Sequence, residues 1–375
     1  MKVGIVCYPT FGGSGVVASE LGMSLAKEGN EVHFITYKLP VRLDFISNNI
    51  HFHEVFVEEY PLFQFQPYEL ALSSKIVEVV EMYNLEILHV HYAIPHAYAA
   101  YMAKQMLKEK GIVVKVVTTL HGTDITLVGS HPNYKTAVEF SINHSDVVTT
   151  VSDSLKSDTL RLFNIKKEIQ VIYNFIDFDK YPEITDEECQ RSSIAQNNEK
   201  IVTHISNLRP VKRAWDVIDI FYKIQKKIPS KLLLVGEGPD RERIECMAKD
   251  LGILDKILFL GNSNEVNKLL CYSDLFLLPS ETESFGLAAL EAMAAKTPVI
   301  STNSGGLPEV NIEGVTGFLS NIGDTDNMAK NGIYILESDE RLLKFKQNAF
   351  AQAQQFSLQN ILPGYIETYK EVLGK

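Results

Sequence analysis

No uninterrupted apolar run in these 375 residues approaches the length of about 18 that a membrane-spanning helix needs, so the sequence offers no transmembrane segment. Cysteine is scarce. Cys7, Cys189, Cys246 and Cys271 have neither zinc-ligand nor thioredoxin-like spacing. Scattered free thiols fit a reducing compartment. Positive charge is also short: 36 Lys and Arg face 47 Asp and Glu, a net charge of −11. That disfavours nucleic acid or an anionic membrane surface as the main partner, and no stable membrane association is expected. Met1-Lys2 leads directly into the apolar strand VGIVCY, without the long apolar region and small-residue cleavage site of a signal peptide. A cytoplasmic location is the expectation. Missing too is the G-x-G-x-x-G of dinucleotide-binding proteins. The first Gly-rich loop reads PTFGGSG, and the strand after it, Glu31 to Thr36, ends in Tyr37-Lys38 where a ribose-binding acid usually stands. NAD chemistry is therefore set aside.

What is present is an ordinary globular composition, 45% apolar and 22% charged. The length exceeds what one core comfortably serves and predicts two domains. Short apolar runs alternate with helical periodicity along the whole chain, the pattern of α/β units with parallel sheets. In the first half, strands are expected at Val3 to Tyr8, Glu31 to Thr36, Ile87 to His91, Val113 to Leu120 and Ser145 to Ser152. The polar stretch Thr185 to Lys200 reads as a linker. A second strand–helix series then begins at Ile201 and passes through Leu232 to Val235, Ile257 to Leu260 and Leu275 to Leu278. The tail, Gln352 to Leu373, carries Phe356, Ile361, Tyr365, Ile366 and Tyr369 at roughly helical spacing.

The stretch around which the rest is organised is Pro279 to Glu309, PSETESFGLAALEAMAAKTPVISTNSGGLPE. A buried strand, a polar loop and a helix start follow one another, which presents free backbone N–H groups and a helix dipole to an anion. Glu283 and Glu291 bracket this point with seven residues between them. Carboxylates repel phosphate but accept hydrogen bonds from hydroxyls, which suits a sugar ring and a ribose. The bland alternative is a buried strand–helix unit whose two Glu residues face solvent.

This block, with Ser304-Gly305-Gly306-Leu307-Pro308-Glu309 and Gly314-Val315-Thr316-Gly317-Phe318-Leu319, resembles the family 4 retaining glycosyltransferases. The resemblance implies two doubly wound Rossmann-like α/β domains facing across a cleft, the glycosyltransferase B fold. An acceptor-binding domain is expected over 1–180 and a nucleotide-sugar domain over 181–355, with 181–200 as linker. Residues 356–375 are expected to form a helix returning to the first domain.

It further implies roles by position. His121, Arg209, Lys212 and Glu283 form the expected catalytic set. His121 faces the donor sugar, Lys212 meets the diphosphate and Glu283 binds sugar hydroxyls. Arg209 stands in for an arginine that the family places five residues before the lysine, where this chain has Asn207. Gly13, Gly15, Gly236, Leu260, Gly261, Ser284, Phe285, Gly286, Leu287 and Glu291 are the expected nucleotide-sugar contacts, Glu291 on the ribose. The leaving diphosphate must be neutralised, and without a metal only cations and helix N-termini can do it.

The segments YPTFGGSGVVASELG, LHGTDITLVG, VIYNFIDF and SNLRPVKR look most similar to the branch of the family that links N-acetylglucosamine to L-malate in bacillithiol biosynthesis. That implies UDP-N-acetylglucosamine and L-malate as small-molecule substrates. Ser14, Arg42, Tyr92, Thr123 and Lys135 are the candidate acceptor contacts. Another acceptor (a glycan or lipid), or an idle nucleotide-sugar-binding protein, is the alternative.

Lipid-directed members dock through basic, aromatic N-terminal surfaces. Here Leu43 to Ser74 has Phe56, Phe63, Phe65 and Tyr68 but no Lys or Arg. It reads as a packed irregular region around short helices. No cofactor and no metal are expected. His89 and His91 share a strand face without an evident third ligand. Asp177-Phe178-Asp179 and Asp324-Thr325-Asp326 spell a metal–diphosphate motif of a different fold, the second reading as a helix cap. Homo-oligomer formation is left open.

Overall fold

The computed structural model describes residues 1–375 except 11, 41, 44–47, 60, 62, 182–190, 197 and 264–265. Cys189 and most of the expected linker lie outside the described residues. The chain divides into two compact units, Met1–Asn174 with Ile361–Lys375, and Phe175–Asn360.

In the first unit, strands β1 (Lys2–Val6), β2 (Glu31–Thr36), β3 (Ile50–Glu54), β4 (Ile87–His91), β5 (Lys115–Leu120), β6 (Val147–Thr150) and β7 (Ile169–Val171) form one sheet. Its order is β3-β2-β1-β4-β5-β6-β7, and every pairing is parallel. The strands read as near-continuous apolar runs because helices cover both faces of such a sheet. Leu72, Ile76, Val79 and Val80 of helix Tyr68–Tyr83 pack with Leu88 and Val90 of β4 and Ala99, Ala100 and Ala103 of helix Tyr98–Glu109. Strand order reverses between β1 and β4, and ligands of open α/β sheets bind outside the carboxyl ends of strands at such a switch point.

The second unit repeats the plan. β8 (Lys200–Ile205), β9 (Ser230–Val235), β10 (Ile257–Gly261), β11 (Leu275–Leu278), β12 (Val299–Thr302) and β13 (Gly317–Ser320) run in the order β10-β9-β8-β11-β12-β13, again all parallel. The switch point lies between β8 and β11. Val217, Ile220, Phe221 and Ile224 of helix Ala214–Gln225 bury against β8, β9 and β11 and against Met328 and Ile335.

The C-terminal helix, Leu358–Leu373, follows helix Asp339–Gln355 after a short break, and from Ile361 onward it belongs to the first unit. Tyr365 and Tyr369 are fully buried there. The Tyr369 hydroxyl lies 2.6 Å from His89 Nδ1, and Thr368 Oγ1 donates to Gln170 Oε1 at 3.2 Å.

Three expectations are corrected. Residues 50–54 form a strand that the alternation Ile-His-Phe-His-Glu disguises; it lies at the sheet edge and is only partly buried. The aromatics after it that were expected to pack are largely exposed: Phe56, Phe63 and Phe65 are 76%, 53% and 82% exposed. Cys7 and Cys271 both sit in or near apolar segments, which predicts core positions for both; Cys7 is buried, but Cys271 is only half-buried, with its Sγ donating to the Lys268 carbonyl. Among the described residues no helix is long and apolar enough to cross a membrane.

Candidate active site

In the second unit, the loops leaving β8 and β11 are held together by charge. Lys212 closes the turn Pro210–Lys212, and its Nζ donates to Glu283 Oε1 at 2.6 Å. Ser280 Oγ donates to the same oxygen at 2.7 Å. The backbones are also joined, Glu281 N donating to Val211 O at 2.8 Å. Both charged side chains are mostly but not wholly covered, 22% and 13% exposed, so solvent screening is reduced while a ligand still has access. Behind them, buried His204 donates from Nδ1 to the Leu277 carbonyl at 2.8 Å, which leaves its Nε2 to accept from Ser206 Oγ at 2.8 Å. Burial pushes the His204 pKa down to about 4, so this support stays neutral.

The loop bearing Glu283 is clamped by the pair Gly305-Gly306. Gly306 N donates to the Glu283 carbonyl at 2.8 Å. A Cβ on Gly305, where φ is +60°, would stand 2.0 Å from that same oxygen. Gly286, at φ +98°, turns the chain into helix Leu287–Ala294, with Ser284 and Leu287 half-buried and Phe285 buried against Phe356. Glu291 lies half-buried on that helix. Two further glycines meet at the ends of β9 and β10, where Gly236 N donates to the Gly261 carbonyl at 2.7 Å. Leu260 beside them is 38% exposed. Arg209 is exposed at the start of the Lys212 turn, and the structure does not join it to the Lys212–Glu283 pair.

In the first unit the switch point is spanned by neutral groups. Gly15 lets helix Gly13–Lys27 start hard against the preceding loop, where a Cβ would meet the Thr10 and Tyr8 carbonyls at 2.4 and 2.7 Å. Ser14 Oγ is 2.7 Å from Tyr92 Oη, linking the segments that follow β1 and β4. The Tyr92 ring lies 5.2 Å from that of His121, and His121 Nε2 is 2.8 Å from His91 Nδ1. Burial drives His121 down to about 3 and His91 well below its ordinary value, so both imidazoles are neutral at pH 7. Burial also raises Tyr92 to about 12.

Asp124 fixes this arrangement and was not anticipated. Its Oδ2 accepts from Ala93 N at 2.8 Å, and its Oδ1 from Gly122 N at 3.0 Å and His121 N at 3.2 Å. One carboxylate thus ties the loop after β4 to the loop after β5. Burial raises its pKa to about 6 against the opposing effect of these N–H donors. The signal available in the sequence was the acid three residues after His121, which reads as an ordinary turn acceptor.

Of the remaining candidates, Thr123 is exposed beside this network. Arg42 pairs with buried Glu20 at 3.0 Å. Lys135 lies on helix Pro132–His144 with its ammonium 5.9 Å from the Phe163 ring; the described contacts do not bring it to the Ser14–Tyr92–His121 group. His89 is not a ligand at the strand end. It bonds Tyr369 and, at 2.7 Å, Thr119 Oγ1. Asp177 accepts from Asp179 N at 3.2 Å, Asp324 caps its helix through Asn327 N at 3.1 Å, and Asp326 pairs with Lys223 at 2.7 Å.

Two parallel-sheet units, each with a polar constellation at its switch point, define the class. The chain belongs to the family 4 glycosyltransferases with the B-type fold. Residues 11–180 match the model described as Glycosyltransferase Family 4 and residues 185–352 that of Glycosyl transferases group 1. The chain is 49% identical over 374 residues to N-acetyl-alpha-D-glucosaminyl L-malate synthase of Bacillus anthracis, covering 100% of this chain and 97% of that protein. Among solved structures, sucrose-phosphate synthase of Thermosynechococcus elongatus matches with a TM-score of 0.82 at 19% identity, over 100% and 99% of the two chains. HepE of Anabaena, solved with UDP and glucose, matches with a TM-score of 0.81 at 21% identity, over 99% and 100%. These two likenesses concern the fold.

Proposed function

We propose that the protein transfers N-acetylglucosamine from UDP-N-acetylglucosamine to the hydroxyl of L-malate, with retention at the anomeric carbon and without a catalytic metal. The observation that carries this reading is the end-to-end 49% identity with the malate synthase of Bacillus anthracis. The Lys212–Glu283 pair supports it chemically. Departure of UDP develops negative charge on the β-phosphate. Lys212, oriented by Glu283 and Ser280, supplies a preorganised cation there, with the start of helix Leu287–Ala294 and Arg209 as further donors. Glu283 is also the acceptor for sugar hydroxyls, and Glu291 for the ribose.

Retention by double displacement needs a free carboxylate nucleophile. Asp124 is committed through both oxygens to backbone N–H groups, and Glu283 Oε1 is committed to Lys212 and Ser280. Attack from the leaving-group side fits better, the malate hydroxyl passing its proton to the departing phosphate. His121, neutral and held by His91 and Asp124, serves as a hydrogen-bond partner of the donor sugar. Ser14, Tyr92 and Thr123 offer hydroxyls to the acceptor. Three of the four carboxylates in the D-x-D sequences, those of Asp177, Asp324 and Asp326, are engaged in caps and an ion pair, which supports a metal-free reaction. A cytoplasmic location fits a nucleotide-sugar donor.

The test is UDP release from UDP-N-acetylglucosamine with L-malate, D-malate or no acceptor, followed by product mass. Release triggered by L-malate, with a product of N-acetylhexosaminyl malate mass, is expected. Release without dependence on L-malate overturns the acceptor, and none with any acceptor overturns the activity.

A further inference from the structure

A second polar cluster lies far along the sheet from these carboxyl ends. Glu31 is the first residue of β2, and His33 follows two residues later on the same face. His33 stands in register with His51 of the neighbouring strand β3, and Ile35 with His53. Glu31 Oε1 is 3.0 Å from His33 Nε2 and 3.9 Å from His51 Nε2. One ligand atom from each of the three lies within 4.8 Å of the others. A tetrahedral zinc site with bonds of about 2.1 Å places its ligand atoms about 3.4 Å apart, so these atoms need only small side-chain movements.

The surroundings match those of a metal ligand set. The second nitrogen of His33, Nδ1, is 2.9 Å from His53 Nε2, the kind of partner that orients a ligating imidazole. Glu31 keeps its other oxygen on Lys2 Nζ at 3.1 Å, leaving Oε1 for the cluster. Tyr83 covers the three histidines, with ring centroids at 4.5, 5.9 and 5.1 Å from His33, His51 and His53.

We propose that Glu31, His33 and His51 form a structural site for a borderline divalent transition metal such as Zn²⁺, tying β3 to β2 at the sheet edge. Two alternating ligands on one strand and a third directly across on the next present three donors to one side, with the fourth position left to water. The mixed nitrogen and carboxylate set selects Zn²⁺ or Co²⁺ over Mg²⁺ and Ca²⁺. The ion sits at the amino end of β2, whereas the Ser14–Tyr92–His121 group lies at carboxyl ends, so it takes no part in sugar transfer.

The experiment strips the full chain with a chelator and titrates it with Co²⁺, read by visible absorption, and with Zn²⁺, read by calorimetry and thermal unfolding. One saturating equivalent is expected, with Tm rising on the order of 5 °C at excess metal. Glu31→Gln and His51→Gln, both at partly exposed positions, are each expected to remove the Co²⁺ spectrum and the Tm shift while the metal-free protein unfolds at an unchanged temperature. No saturable equivalent overturns the site. So does binding that survives in the Glu31→Gln/His51→Gln double variant, which would move the metal elsewhere, for example to buried His91, His96 and His121.

Discussion

The two units reach the same topology at their switch points and fill them with opposite chemistry. After β8 and β11 the loops are joined by an ion pair, Lys212 with Glu283 at 2.6 Å. After β1 and β4 the joining groups are hydroxyls, Ser14 and Tyr92 at 2.7 Å, backed by the neutral, buried imidazoles of His91 and His121. A doubly wound sheet positions side chains at strand ends but does not dictate their charge. In the proposed reaction, charge stands where the diphosphate leaves, and neutral donors where the sugar and a small acceptor are oriented.

The largest effect that tests this contrast is expected at Lys212. Lys212→Ala removes the cation proposed to meet developing charge, and should cost roughly 2.7–4 kcal/mol of transition-state stabilisation, about 10²–10³ in kcat. UDP-N-acetylglucosamine affinity should change much less. Steady-state kinetics with L-malate check this. An equal loss in KM and none in kcat would show that the pair only binds.

Next in size is Asp124. Asn at this position can still accept from His121 N and Gly122 N, but it turns an NH₂ towards Ala93 N, donor against donor. The loop carrying Tyr92 then shifts, and misplacement of about 1 Å costs roughly 10²-fold in rate. The wild type should also lose turnover as pH falls below about 6, when protonation weakens the same acceptor. Asp124→Asn should lack that acid limb. His121→Asn should keep it, because His121 remains neutral down to about pH 3. A limb that follows His121 instead would assign the proton to the histidine.

The contrast also predicts unequal acid stability. His33, His53, His89, His91, His96 and His121 all lie in the first unit with pKa values depressed chiefly by burial; in the second, His204 shows such a shift. A depressed histidine contributes stability that is present above its unfolded pKa of about 6.5 and is lost as pH falls towards its folded value. Asp124 runs the other way: its raised pKa favours the fold at low pH and is lost as pH rises through about 6. Six groups outweigh one, so the first unit should loosen first between pH 6.5 and 4. Hydrogen exchange at pH 5 and 7.5 resolves this by segment, and earlier loss of protection in 200–350 would contradict it.

How much of this was legible in the sequence follows the physics of each region. Strands such as Leu275–Leu278 are apolar throughout because both faces are covered, and they stand out in any reading. The pairing of Lys212 with Glu283 was implied only as two separate roles in the family resemblance; their 71-residue separation hides the contact. Glycines carried information where backbone meets backbone, as at Gly305 against Glu283. Strand β3 was missed because an edge strand needs little apolar surface, and its histidines look like a polar loop. Asp124 was missed because a carboxylate satisfied by three N–H groups becomes visible only when two loops from different strands converge. The exposed Phe56, Phe63 and Phe65 mislead for the converse reason: aromatic content predicts burial on average, not at a given position.

The smallest effect should come from the hydroxyl bridge of the first unit. Tyr92→Phe removes one partner of Ser14, and a neutral hydrogen bond between half-covered groups contributes about 1 kcal/mol. The Tyr92 ring would keep its edge contact with Tyr8, at 5.3 Å, so the fold should hold. If Tyr92 also meets the acceptor, the loss should fall on the KM for L-malate, by about fivefold, with kcat and the KM for UDP-N-acetylglucosamine little changed. Ser14→Ala should give a similar shift, and the double variant less than the product of the two, because both remove one bridge. Full multiplicative effects would mean that the two hydroxyls contact the acceptor independently. The neutral constellation would then resemble the charged one more closely than its geometry suggests, with each group acting directly on a ligand.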